Sequence, residues 1–236
     1  MIPCLLLHGA LGTAAQLQPL LDQLPADWPV FTLNFPGHGG AFTDQPFSMR
    51  LFTDAILRFM EERQLPAVNI FGYSMGGYVA LGLAAEQPDR VQRIVTLGTR
   101  LDWSPGVAAG MSRMFDPEKI EAKVPQFGLL LAQAHAPDDW KVVCQRTARF
   151  LADLGDGLGL AEDSFSRITC PVTIGWGELD NVVTEEESRR AAAQIPNGKF
   201  ERLEGVQHAF EQVDLVRLAQ FLEAEFNPVV KARPCP

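Results

Sequence analysis

The residues best able to do chemistry in this chain are a serine, an aspartate and a histidine, in that order, each just past a segment that reads as a buried strand. Ser74 lies in Gly72-Tyr73-Ser74-Met75-Gly76, a Gly-x-Ser-x-Gly pattern. The apolar run Val68, Ile70, Phe71 precedes it, and an apolar, small-residue helix follows over 79–85. A serine held at a sharp strand-to-helix turn is pushed outward in strained backbone, and glycines beside it let strand and helix approach. The Met75 N–H then sits at a helix N-terminus, where unpaired donors and the helix dipole favour negative charge. The five-residue pattern alone is common, and a helix-capping serine is the plain alternative. Its strand–turn–helix context is what makes it a candidate nucleophile.

A hydroxyl becomes a useful nucleophile when a base takes its proton. An imidazole does this near neutral pH, and a carboxylate fixes the imidazole's tautomer and stabilises its charged form. The chain has four histidines. His208 alone follows the last strand and is the candidate base; a surface loop histidine is the alternative. His8 and His38 sit in glycine-containing turns, where structural hydrogen bonds are expected, and His135 falls in a helical insertion. For the acid, Asp180 follows the fifth strand, Asp102 after the fourth is the runner-up, and Glu178 lies earlier in the loop of Asp180. The Ala10 and Met75 N–H groups can form an oxyanion hole, which stabilises charge that appears in the transition state.

Alternating strand and helix signals position these residues. Strands are expected at 3–7, 29–34, 68–71, 91–97, 171–175 and 198–203, with the last more exposed. Helices are expected at 14–23 capped by Thr13, at 48–63 capped by Ser48, at 185–194 capped by Thr184, and at 210–226. This rhythm implies an α/β fold: a doubly wound, mostly parallel six-stranded sheet with helices on both faces. Sites in such sheets form at the carboxyl ends of the strands. Four loops meet there: 8–12, 72–76, 176–180 and 204–208. The rhythm breaks over 99–166, which reads as helical pieces at about 107–115, 117–135 and 138–154. The core is therefore expected at 1–98 and 167–227, an inserted helical cap at 99–166 and a loose tail at 228–236. Trp103, Met114 and Phe127 of the insertion are candidate pocket residues.

With 236 residues, 47% hydrophobic and 21% charged, the composition is that of an ordinary globular domain. A net charge of −9 argues against nucleic acid as a partner. No apolar run approaches the roughly 18 residues of a membrane span. No leader is legible before the first strand, and a cytoplasmic protein is expected. The four cysteines lack metal-ligand spacing, and neither a metal nor a disulfide framework is implied.

Leu7–Gly12 (Leu-His-Gly-Ala-Leu-Gly), Phe35–Gly39 (Phe-Pro-Gly-His-Gly), Gly72–Gly77, Gly177–Asp180 and Val206–His208 occur together and in order. In this the chain resembles the α/β-hydrolase superfamily over nearly its whole length. The resemblance implies Ser74, Asp180 and His208 as nucleophile, acid and base, Ala10 and Met75 as oxyanion donors, and the insertion as a lid. The family's usual opening antiparallel hairpin has no counterpart here, so a shortened, all-parallel sheet is expected. Related menaquinone-pathway lyases often carry arginine after the second glycine of Gly-Tyr-Ser-x-Gly-Gly; here that position is Tyr78. The expected activity is hydrolysis of a small or medium apolar carboxylic ester through an acyl-enzyme, acting on a small molecule without a cofactor. A carbon–carbon hydrolase or lyase with the same triad, and a ligand receptor that retains it, are the alternatives.

Overall fold

A computed structural model describes residues 1–227. The expected tail at 228–236, with Cys235, lies outside the described residues. Among those described, six strands form one parallel sheet: β1 (Cys4–Leu7), β2 (Val30–Thr32), β3 (Val68–Tyr73), β4 (Val91–Leu97), β5 (Val172–Leu179) and β6 (Gly198–Gln207). Their spatial order is β2-β1-β3-β4-β5-β6. Direction reverses between β1 and β3, which pair with Leu7 opposite Gly72. A crevice therefore opens beyond the carboxyl ends of these two strands. The loops at 8–12 and 72–76 leave from that crevice.

The sheet separates two apolar clusters. Side chains alternate across a strand, so Leu5 and Leu7 face one layer while Cys4 and Leu6 face the other. The first layer holds α2 (Met49–Glu62), α3 (Met75–Glu86) and α9 (Glu185–Gln194); the second holds α1 (Ala14–Leu21) and α10 (Leu215–Phe226). Residues 75–85 of α3 are all buried. A helix apolar on every side belongs in the middle of a core, and this one carries the candidate nucleophile at its N-terminus.

Several expected signals act as read. Ser48 accepts from Leu51 N–H, and Thr184 forms a capping box with Glu187. Other local details differ. Thr13 makes no side-chain cap; the Ala14 N–H donates instead to Asn34 Oδ1 at 2.6 Å, so a tertiary partner replaces the local one. β5 and β6 run beyond their expected ends, because pairing continues to Leu179 opposite Gln207. The last helix begins later than expected, at Leu215 after the Asp214 cap. Cys4, Cys144 and Cys170 are buried free thiols.

Between β4 and β5 the described chain is helical: α4 (Pro105–Ser112), α5 (Pro117–Lys123), α6 (Pro125–His135), α7 (Trp140–Asp153) and α8 (Ser164–Arg167). The single helix expected over 117–135 is two. Pro125 excludes helical backbone at the residue before it, and Val124 adopts φ −140°, ψ 58°. Arg146 and His135 help to fasten this helical group to the sheet domain. Arg146 donates to the carbonyls of Thr43 and Gln45 and covers the Phe47 ring. His135 bonds to Leu11 and Gly39.

Candidate active site

Ser74 joins β3 to α3 with φ 51°, ψ −119°. A non-glycine residue in this region is strained, and it persists only where its surroundings over-determine it. Here they do. The Ser74 N–H donates to Leu97 O at 2.9 Å, and the Ser74 carbonyl accepts from Gly77 N–H at 3.0 Å and from Thr99 Oγ1 at 3.0 Å. The close packing also requires glycine. A Cβ on Gly76 would stand 2.5 Å from Leu7 O and 2.7 Å from His8 O, against the very loop that carries Ala10.

His208 follows β6, and its Nδ1 lies 2.8 Å from Asp180 Oδ2. The other carboxylate oxygen, Asp180 Oδ1, accepts from the N–H groups of Val182 and Val183, each at 2.8 Å. Burial pushes the Asp180 pKa up, but the His208 hydrogen bond and these backbone donors outweigh it, and the net direction is down. The ionised carboxylate is acceptor-only, so His208 carries its proton on Nδ1 and presents Nε2 as an acceptor. Tyr73 Oη donates to the His208 carbonyl at 2.7 Å, which ties the histidine loop to the residue beside Ser74. Gly98 lets the pair pass β4: at φ 61°, a Cβ there would meet both Asp180 Oδ2 and His208 Nδ1 at 3.2 Å.

Ala10, Ser74, Met75 and His208 line one cavity of about 190 Å³. Ser74 Oγ and His208 make no direct hydrogen bond; such bonds often tighten only in complexes with substrate. The Met75 N–H is the first amide of α3 and has no intrahelical partner. The Ala10 N–H is left over by the turn that Gly12 N–H closes on Gly9 O. Ala10, Ser74, Met75 and His208 thus border one volume. Together they can activate a hydroxyl and accommodate an oxyanion.

The other expected residues fall as follows. Asp102 is not at the histidine; it accepts from Ser104 N–H at 2.9 Å and lies 3.5 Å from Arg190. Glu178 points elsewhere, to Arg202 and the Gly205 N–H. Trp103 and Met114 line the cavity, with Met111, Phe115, Phe150 and Leu154 beside them. Phe127 does not. It is 44% exposed, because α6 buries Gly128, Leu131 and His135 and turns Phe127 to its other side. His8 and His38 are fully buried in the expected turns, but His135 joins them, which its sequence position did not suggest. Tyr78 also lines the cavity, and its hydroxyl accepts from Leu160 N–H at 2.9 Å.

A family model described as "alpha/beta hydrolase fold" matches residues 2–139. The chain belongs to the α/β-hydrolase family. It is an enzyme of that fold. A pimeloyl-[acyl-carrier protein] methyl ester esterase of Neisseria meningitidis serogroup C is 30% identical, over 86% of this chain and 85% of the relative. Among solved structures, a thermophilic esterase from Thermogutta terrifontis has a TM-score of 0.77 at 19% identity, covering 97% of this chain and 90% of its own. MenH from S. aureus has a TM-score of 0.73 at 19% identity, covering 96% and 95%. These two likenesses are of fold. No helix of the described residues is long and apolar enough to cross a membrane.

Proposed function

We propose that this α/β-hydrolase is a serine esterase that cleaves a small or medium carboxylic ester through an acyl-enzyme on Ser74. His208 Nε2 takes the Ser74 proton as Oγ attacks the ester carbonyl. The oxyanion that forms lies between the Ala10 and Met75 N–H groups, each worth roughly 10²- to 10³-fold in rate by analogy with measured oxyanion donors. Collapse breaks the ester C–O bond, and His208 returns its proton to the leaving alcohol. Water then repeats the sequence on the acyl-enzyme, releasing the acid and restoring Ser74. Asp180 holds the tautomer and stabilises the imidazolium that forms twice per cycle.

The observation that carries this reading is the convergence on one cavity of a strained serine and a histidine bonded at 2.8 Å to a carboxylate. Ester hydrolysis, rather than other triad chemistry, is supported by the meningococcal esterase. The lyase alternative loses ground at Tyr78, which is buried and engaged with Leu160 where related lyases often carry arginine. The acyl or alcohol group lies against the apolar side chains of α4 and α7 and the segments after them. The helical insertion at 99–166 serves as the cap and the remainder as the core, and water is excluded from the acyl-enzyme except for the molecule that deacylates it. The cavity is small beside ligand clefts of roughly 300–1,000 Å³, which favours a short substrate. A panel of p-nitrophenyl esters of rising acyl length tests the reading. Turnover with a short-chain optimum and a burst of p-nitrophenol supports it; absence of turnover across the panel and on alkyl methyl esters contradicts it.

A further inference from the structure

Arg100 is a charged residue in an otherwise apolar cavity wall. None of the other side chains that line the cavity is Asp, Glu, Lys or Arg. Arg100 lies two residues beyond Gly98, at the carboxyl end of β4. Its neighbour Thr99 is bonded to the Ser74 carbonyl, so its backbone is fixed relative to the elbow. The Arg100 side chain is only 14% exposed. Burying a cation costs free energy unless its donors are satisfied.

Those donors are poorly satisfied. Among the described residues, the guanidinium makes one side-chain hydrogen bond, from Nη1 to Glu187 Oε2 at 3.3 Å. Charge-assisted bonds are ordinarily nearer 2.7–2.9 Å, and Arg–carboxylate pairs are often bidentate. Arg100 Nε is buried without a partner. Glu187 has other donors besides Arg100: its oxygens accept from Leu101 N–H at 3.0 Å, Thr184 N–H at 3.1 Å and Thr184 Oγ1 at 3.0 Å. It also stands in the first turn of α9, where the helix dipole favours a carboxylate. Beside Arg100 in the same wall, Trp103 Nε1 is a second buried donor without an acceptor. Two unmatched N–H donors and one cation call for an anionic acceptor from outside the protein.

We propose that Arg100 is a specificity determinant that selects esters carrying a carboxylate remote from the scissile bond, such as half-esters of short dicarboxylic acids, over neutral esters of equal length. The inference rests on the esterase reading of the same cavity. The methylenes of such a substrate lie along the apolar wall, its ester carbonyl faces Ser74, and its free carboxylate takes the guanidinium donors that Glu187 leaves open. An apolar pocket with one placed charge fixes both the orientation and the length of what it accepts.

The test compares monomethyl adipate with methyl hexanoate on wild type, Arg100→Met and Arg100→Lys. The wild type should favour the half-ester by roughly tenfold or more in kcat/KM, the weight of a hydrogen bond to a charged group. Arg100→Met should lose roughly 10- to 100-fold on the half-ester, chiefly through KM. The loss on methyl hexanoate should be smaller than that on the half-ester, and Arg100→Lys, which keeps the charge without the fork, should fall between wild type and Arg100→Met on the half-ester. An equal loss on both esters, or a wild-type preference for the neutral one, overturns the proposal. Calorimetric binding of adipate gives a readout independent of catalysis. If wild type binds adipate and Arg100→Met does not, the anion site stands even where the esterase reading fails. If wild type does not bind adipate, or binds it no better than the variant, the anion site is refuted whatever the ester assays give.

Discussion

Three buried histidines make stability acid-sensitive in a way that can be calculated. His8 Nδ1–H donates to Gly9 O at 2.8 Å, and His8 Nε2 accepts the Phe35 N–H at 3.1 Å. His135 Nδ1 accepts the Gly39 N–H at 3.1 Å, and its Nε2–H donates to Leu11 O at 3.1 Å. His38 stands between them, with ring centroids 5.2 Å from His8 and 5.7 Å from His135. Each bonded ring uses its neutral form fully, so an added proton would set a donor against a donor. Burial pushes the His8 pKa down to about 4, partly opposed by the Gly9 bond. Burial and the two neighbouring histidines push the His38 pKa well below its ordinary value. Between the ordinary value of 6.5 and about 4, the unfolded chain binds a proton at His8 that the folded chain does not. Stability therefore rises with pH across this window, is free of the penalty above it, and bears all of it below. At about 1.36 kcal/mol per unit, His8 alone accounts for about 3 kcal/mol. We expect urea unfolding at about pH 7 and about pH 4.5 to show a larger loss for wild type than for His8→Gln, by about 2–3 kcal/mol. His8→Gln should itself be less stable at neutral pH, because it loses fitted hydrogen bonds. Parallel losses, agreeing within about 0.5 kcal/mol, would show that His8 is not the proton-binding group that matters.

The remaining expectations concern the site. Asp180→Asn should lower ester turnover by roughly 10⁴-fold, because an amide can stabilise the wrong tautomer of His208, whereas Asp102→Asn should leave turnover within a few fold; the opposite ranking in steady-state assays would return Asp102 to the site. Turnover should fall on the acid side as the imidazole gains its second proton, since Asp180 is held ionised below the usual carboxylate range and does not set that limb. A rate that does not fall as the pH is lowered would rule out a histidine base. Met114→Ala should shift the acyl-length optimum in kcat/KM, with one methylene worth roughly 10- to 200-fold at most, whereas Phe127→Ala should not; equal shifts from both would contradict the cavity wall described here.

The meeting of the candidate residues was legible because position along parallel strands carries it. Ser74, Asp180 and His208 each follow a strand, and all such carboxyl ends face the same side of the sheet. Strand order was not needed for that deduction. What escaped depends on which distant segments meet. Thr13 looked like a cap, but Asn34, some twenty residues on, supplies the acceptor. The helix expected at 117–135 carried its own break at Pro125, a signal that was present and outweighed by apolar spacing. Phe127 and Met114 are both large apolar residues of the insertion, and only the rotation of α6 and the turn after α4 separate them. The clustering of His135 with His8 and His38 spans more than a hundred residues and has no local signature. Arg100 reads as a solvated loop charge until the cavity wall around it is known to be apolar.

The most direct test of the central claim is covalent. The protein is incubated with a fluorophosphonate probe, digested, and the modified peptide sequenced by mass spectrometry, with Ser74→Ala in parallel. The probe phosphorus is expected on Ser74 Oγ, with no labelling and ester turnover lower by roughly 10⁴-fold or more in the variant. An adduct on another serine with Ser74 unmodified, or full turnover by Ser74→Ala, would contradict the account.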